Sequence, residues 1–92
     1  MSNLIFHAES VATTAKQVLA ENQARRKLTF KNHGSVTVFL HQNNGVTSSN
    51  GYPLVQNAVL EITAQDGPTW WAWWAIASSA SADLRIIEEV SS

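Results

Sequence analysis

Four tryptophans fall within the eight residues TWWAWWAI, positions 69–76 of a 92-residue sequence, and they offer more recognition chemistry than any other side chains present. In an extended segment successive side chains point to opposite faces, so Trp70 and Trp74 share a face with Ala72 while Trp71 and Trp73 share the other. One pair can enter a core. The second pair then lies outside the sheet, near an edge, or against another subunit. A large rigid ring gains much apolar contact for little lost rotamer freedom, which is why tryptophan is enriched at protein interfaces. Three uses stay open: cover from the chain's own loops, contact with another protein chain, or stacking against a sugar.

Arg25, Arg26 and Lys27, with Lys31 close by, form the basic cluster. At a strand entrance such a run serves as a solvated face that discourages edge pairing, or as an ion-pair contact with a partner subunit. A net charge of −1 with 14% charged residues gives no broad field for nucleic acid or an acidic membrane surface. His7, His33 and His41 have no CxxC, HxH or HExxH spacing around them, so no metal site is expected, and His33 and His41 are read as exposed. The sequence contains no GxSxG elbow and no phosphate-cradling glycine loop. The carboxylates Glu61, Asp66, Asp83, Glu88 and Glu89 are read as lying at turns, on an exposed strand face or near the C-terminus, with no reason for a shifted pKa. Neither catalysis nor a cofactor is expected. With no cysteine, disulfides and thiolate zinc sites are excluded.

The elements that must carry these residues are short strands. Residues 10–20 read as one or two extended pieces ending at Val18 and Leu19, with a short helix as the competing reading, and residues 21–26 as a turn. Leu28 and Phe30 alternate with Thr29 and Lys31 before Asn32, His33 and Gly34 break the run. Val36, Val38 and Leu40 alternate next, and these two strands are expected to form an antiparallel hairpin. QNNGVTSSNG, residues 42–51, reads as a long surface loop. Pro53 points to an edge or a bulge at residues 52–55. Leu60 and Ile62 alternate in the next strand, which ends at the turn signal Asp66, Gly67 and Pro68. Residues 69–77 and 83–90 form the last two strands. The longest apolar run, residues 70–77, is far short of the ~20 residues a membrane-spanning helix needs. The first residues, MSNLIFHAES, lack a basic region and a sustained apolar region, so a secretory signal is not expected and synthesis in a cytoplasm is.

The segments NQARRKLTFKN, SVTVFLHQ, NGYPL, VLEI, WWAIASS and ADLRIIEE, taken in order, resemble a family of small β-sandwich proteins of bacteriophage virions. The resemblance spans residues 17–89 and departs from the family's pattern at the tryptophans, where small or ordinary apolar residues are more usual. It implies a structural role, as a capsid decoration or cement protein bound to the major capsid protein, or as a head-fibre or tail module. A virion location and a homo-oligomer follow as expectations, without nucleic acid, membrane or cofactor.

From the strand pattern the expected fold is a small antiparallel β-sandwich, jelly-roll-like, as one domain over residues 10–92 behind an N-terminal arm, residues 1–9. The expected core is Leu28, Phe30, Val36, Val38, Leu40, Leu60, Ile62, Ile76, Leu84 and Ile86. The expected protein-contact residues are Trp70, Trp71, Trp73, Trp74, Arg25 and Arg26, with Leu4, Ile5 and Phe6 of the arm. A carbohydrate-binding domain using exposed tryptophans is the alternative of a different class.

Overall fold

Side chains that alternate between apolar and polar leave one face of each strand to be buried, and such strands dominate this chain. The computed structural model describes residues 2–63 and 71–91, in which eight strands and no helix occur. They are β1 (Ser2–Val11), β2 (Lys16–Leu19), β3 (Arg25–Asn32), β4 (Val38–His41), β5 (Tyr52–Leu54), β6 (Val59–Thr63), β7 (Trp73–Ala77) and β8 (Ala82–Ser91). Two four-stranded antiparallel sheets result, ordered β1-β8-β3-β6 and β2-β7-β4-β5. Apart from β4 and β5, consecutive strands belong to different sheets, so nearly every connection crosses the sandwich. This is the eight-stranded jelly roll.

Between the sheets lie Leu28 and Phe30 of β3, Leu84 and Ile86 of β8, and Val38, Leu40, Leu54, Trp73, Ala75 and Ala77 of the facing sheet. Phe30 meets Trp73 edge to face, ring centroids 5.1 Å apart. Val11, Val18, Leu19 and Ala82 close the core, while Val36, Leu60 and Ile62 pack half-buried against it. Ile76 does not belong to it. Trp73, Ala75 and Ala77 take the inward phase of β7, which sends Ile76 and Trp74 to the outer face.

Three further expectations change. β3 and β4 do not form a hairpin, because residues 33–37 carry the chain from one sheet to the other. Asn32, fully buried, holds that crossing: its Nδ2 donates to the carbonyls of Val36 (2.7 Å) and Leu54 (2.8 Å), and its Oδ1 accepts from Gly34 N at 3.0 Å. Residues 2–9, expected as an arm, are an edge strand instead, in register with β8 from Ser2 opposite Ser91 to Val11 opposite Ala82. β7 begins at Trp73, not at residue 69, so Trp71 precedes the strand and does not share a face with Trp73. Trp70 and the turn at Asp66, Gly67 and Pro68 fall outside the described residues.

The antiparallel order gathers the β1–β2, β3–β4, β5–β6 and β7–β8 connections at one end of the sandwich. Backbone hydrogen bonds stitch that end, from Ala77 to Ala12 (2.8 Å), His33 to Asp83 (2.9 Å), Ser78 to Thr37 (3.0 Å) and Asn32 to Ala58 (3.1 Å). The β2–β3 and β4–β5 connections lie at the opposite end, where β6 ends and β7 begins.

The loop between β4 and β5 is the long surface loop expected, and it is tied down. Asn50 ties it by donating to Gly45 O (3.1 Å) and accepting from Thr47 N (2.7 Å), and Val46 is buried. The loop returns over Phe39 so closely at Gly51 that a Cβ there would stand 2.6 Å from Phe39 Cβ and 2.9 Å from Val46 Cγ2. Gly51→Ala is therefore expected to destabilise the fold by about 1–3 kcal/mol through overpacking. Gly45→Ala, which meets nothing nearer than Asn43 Oδ1 at 3.4 Å, should stay within about 0.5 kcal/mol of the wild type. Urea unfolding of both variants checks the pair.

Candidate functional site

Counting outward from the buried Leu28, strict alternation would send Arg26 into the sandwich and Arg25 out to solvent. The structure does the reverse. The pairing of β3 with β8 shifts between Arg25 and Lys27, and this bulge turns Arg25 inward and leaves Arg26 exposed. Arg25 is only 2% exposed, so it is not part of a solvated basic face.

What receives it is Glu88. On β8 the inward phase runs through Ala82, Leu84, Ile86, Glu88 and Val90, so the carboxylate sits on the apolar side and is 4% exposed, contrary to its expected surface position. Arg25 donates to Glu88 Oε1 through Nε and pairs with it through the Nη2 nitrogen, both at 2.6 Å. His7 of β1 reaches the other oxygen, its Nε2 at 2.5 Å from Oε2. Two more of its hydrogen bonds go to main chain, to Trp71 O at 2.8 Å and Ala20 O at 2.7 Å. One side chain thereby fastens β3 to β8, to the end of β2 and to the approach to β7. A cavity of about 200 Å³ lies beside the group, lined in part by His7, Leu19, Asn22, Arg25 and Glu88.

The chemistry of this cluster is that of a lock. Both carboxylate oxygens are occupied, and a charge so balanced is held for position more readily than for proton transfer. Among the described residues no group of three His, Cys, Asp or Glu side chains could hold a metal ion.

The other expected contact residues are scattered. Trp71 is 40% exposed, on a backbone held by Arg25. Trp73 is in the core, and Trp74 is half-buried on the outer face between Gln17 and His41. His41 is half-buried, not exposed. Its Nδ1 and Trp73 Nε1 are buried without a hydrogen-bond partner among the described residues. Leu4 and Phe6 project from the outer face of the β1-β8-β3-β6 sheet, 57% and 69% exposed, beside Glu89 and Ile87 of β8. Farther along that face Arg85 grips Asp83 with two hydrogen bonds, 2.8 and 3.1 Å, which hold the Asp83 carboxyl below its usual range.

Sequence reasoning missed Glu88 and His7. The signal was present for Glu88, which stands in phase with Leu84 and Ile86, and a buried carboxylate requires a cation.

Breaking a buried pair strands the remaining charge, so Arg25→Met or Glu88→Leu alone should cost about 3–5 kcal/mol, while the double variant should recover most of that loss. Denaturant titration of the three variants measures it.

No protein-family model matches the sequence. No curated protein is similar to it. Solved structures are similar in fold. A subunit of the Bacillus endospore appendages, described as a family of disulfide-linked pili, aligns with 99% of this chain and 87% of its own at TM-score 0.52 and 11% identity. An RmlC-like cupin protein from Desulfovibrio desulfuricans aligns with 96% of this chain and 80% of its own at TM-score 0.55 and 14% identity. A dTDP-4-dehydrorhamnose 3,5-epimerase from Bacillus anthracis covers all of this chain at TM-score 0.50 and 13% identity, and this chain spans 53% of its length. Similarity at these identities is one of architecture, a jelly-roll sandwich carried by an appendage subunit and by cupin-type proteins alike.

Proposed function

We propose that this chain is a non-catalytic structural protein of a bacteriophage virion, a decoration protein that binds the assembled head through protein–protein contacts. The observation that carries the reading is Trp71. It is exposed, on a backbone held by the buried Arg25, with Arg26 exposed in the same part of the molecule. Tryptophan and arginine are the residue types that most often anchor interfaces, and a rigid support lowers the ordering cost of using them. The resemblance of the ordered strand motifs to those of small phage virion proteins supports a place in the virion and a partner such as the major capsid protein.

A fibre or tail module is the second reading. The similarity in fold to an appendage subunit over nearly the whole chain favours it. Copy number separates the two: a decoration protein is present in many copies spread over the head, a fibre or tail module in few at one place. A cryo-EM map of the particle, with quantitative mass spectrometry, decides between them.

Trp71→Ala should leave the isolated chain folded and weaken its attachment to heads by about 2 kcal/mol or more, about thirtyfold. Co-sedimentation of the purified variant with heads lacking the protein measures this. Unchanged attachment would remove Trp71 from the contact, and glycan binding lost in the same variant would favour a carbohydrate-binding role.

A further inference from the structure

Four strands are sheet edges, and three carry the devices that keep edges from pairing. β5 has three residues and includes Pro53, β2 has four residues, a register shift and Lys16, and β6 displays the exposed carboxylate of Glu61. β1 has no exposed carboxylate, proline, lysine or register shift, and its one carboxylate, Glu9, is half-buried and paired with Lys16 of the same chain. It runs for ten residues and displays Leu4, Ile5 and Phe6 with more than a third of each surface exposed.

We propose that β1 pairs antiparallel with β1 of a second copy of this chain about a two-fold axis at Phe6, joining two four-stranded sheets into one of eight strands. The argument for this occupant is complementarity. Across an antiparallel pair, opposed residues share a face, so centring on Phe6 sets Phe6 against its own copy and Leu4 against Ala8 of the second copy. Since Phe6 lies beside Ile87, the central row reads Ile87, Phe6, Phe6, Ile87 and is apolar throughout. Since Leu4 lies beside Glu89 and Ala8 beside Arg85, the rows on either side run Lys27, Glu89, Leu4, then Ala8, Arg85, Lys31 of the second copy, so small and apolar side chains meet at the seam and no like charges stand opposite one another there. A net charge of −1 adds little repulsion between copies. The strand stays on its own sandwich, held on its inner side by His7 to Glu88 and by Glu9 to Lys16 at 2.8 Å, so the second copy adds to the sheet without exchanging strands.

This deepens the assembly reading above and rests on it for its purpose. Self-association is measured on the isolated chain and attachment on heads, so either can fail alone. Sedimentation velocity of the wild type at micromolar concentration should give two chain masses. Phe6→Lys, which opposes two ammonium groups at the axis, should give one chain mass with an unchanged far-UV spectrum. The chain has no cysteine, so a single introduced thiol reports the register. Opposed Cβ atoms stand about 5 Å apart, close enough to bridge with small adjustment. Phe6→Cys should yield a disulfide-linked dimer under mild oxidation, while Ser35→Cys, an exposed site at the stitched end, should not. A wild type that stays monomeric, a dimer that survives Phe6→Lys, or cross-linking as fast at Ser35 as at Phe6 would each overturn the pairing.

Discussion

The buried pair of Arg25 and Glu88 is the constraint around which the rest is arranged. A carboxylate in the inward phase of β8, an interior strand of its sheet, must be matched by a cation or left at a cost of several kcal/mol. The match requires Arg25 to turn inward, and that requires the bulge in β3. Once inside, the guanidinium has donors to spare, and they take the carbonyls of Ala20 and Trp71. Ala20 after β2 and Trp71 before β7 are thereby tied to β3. The pair is not a simple source of stability, since desolvating both charges offsets much of their attraction. Its effect is to permit only one arrangement of this end.

The two ends of the sandwich are closed by different physics. At one, four crossings are stitched by main-chain hydrogen bonds and by the buried amide of Asn32. Neutral bonds between neighbouring segments suffice there because the crossings are short. At the other, the ten residues between β4 and β5 tie themselves through Asn50 and rest Val46 on the sheet, and the ion pair holds what remains. A cavity and an exposed tryptophan lie at that end, while the connections of the stitched end are built mostly of Ser, Thr and Ala.

Much of the fold was legible in the sequence because period-two alternation is a local signal. Leu28 and Phe30, Val38 and Leu40, and Leu84 and Ile86 declare the inward faces of β3, β4 and β8, and Pro53 declares an edge. The hairpin between β3 and β4 was misread because alternation fixes a strand's faces and not its neighbours. Asn32, His33 and Gly34 suit a crossing between sheets as well as a turn within one. The first residues were misread because β1 buries so little of its surface: Leu4 and Phe6 face solvent, and only Val11 is fully buried. The phase of β7 could not be assigned from TWWAWWAI, where tryptophan occupies both faces. The small side chains of Ala75 and Ala77 select it, by leaving space at the centre of a thin sandwich for Phe30 and Trp73 to meet.

The least legible feature was the site, and the reason is general. A bulge inverts side-chain phase without changing composition, so the run Arg25, Arg26, Lys27 looks like one basic face although its first member is in the core and its second in solvent. Such an inversion is detectable only through its consequence on another strand, here the carboxylate of Glu88 among Leu84, Ile86 and Val90. Inward phase for an acid on one strand and a surplus cation at the mouth of its neighbour are together a stronger statement than either alone, because water cannot satisfy both at that depth. The same reasoning bears on β1. His7 is held toward the sandwich by Glu88, which fixes the phase of the strand and so commits Leu4 and Phe6 to the outer face. The exposed apolar edge is thus a consequence of the buried charge, and the surface proposed for self-pairing is set from within.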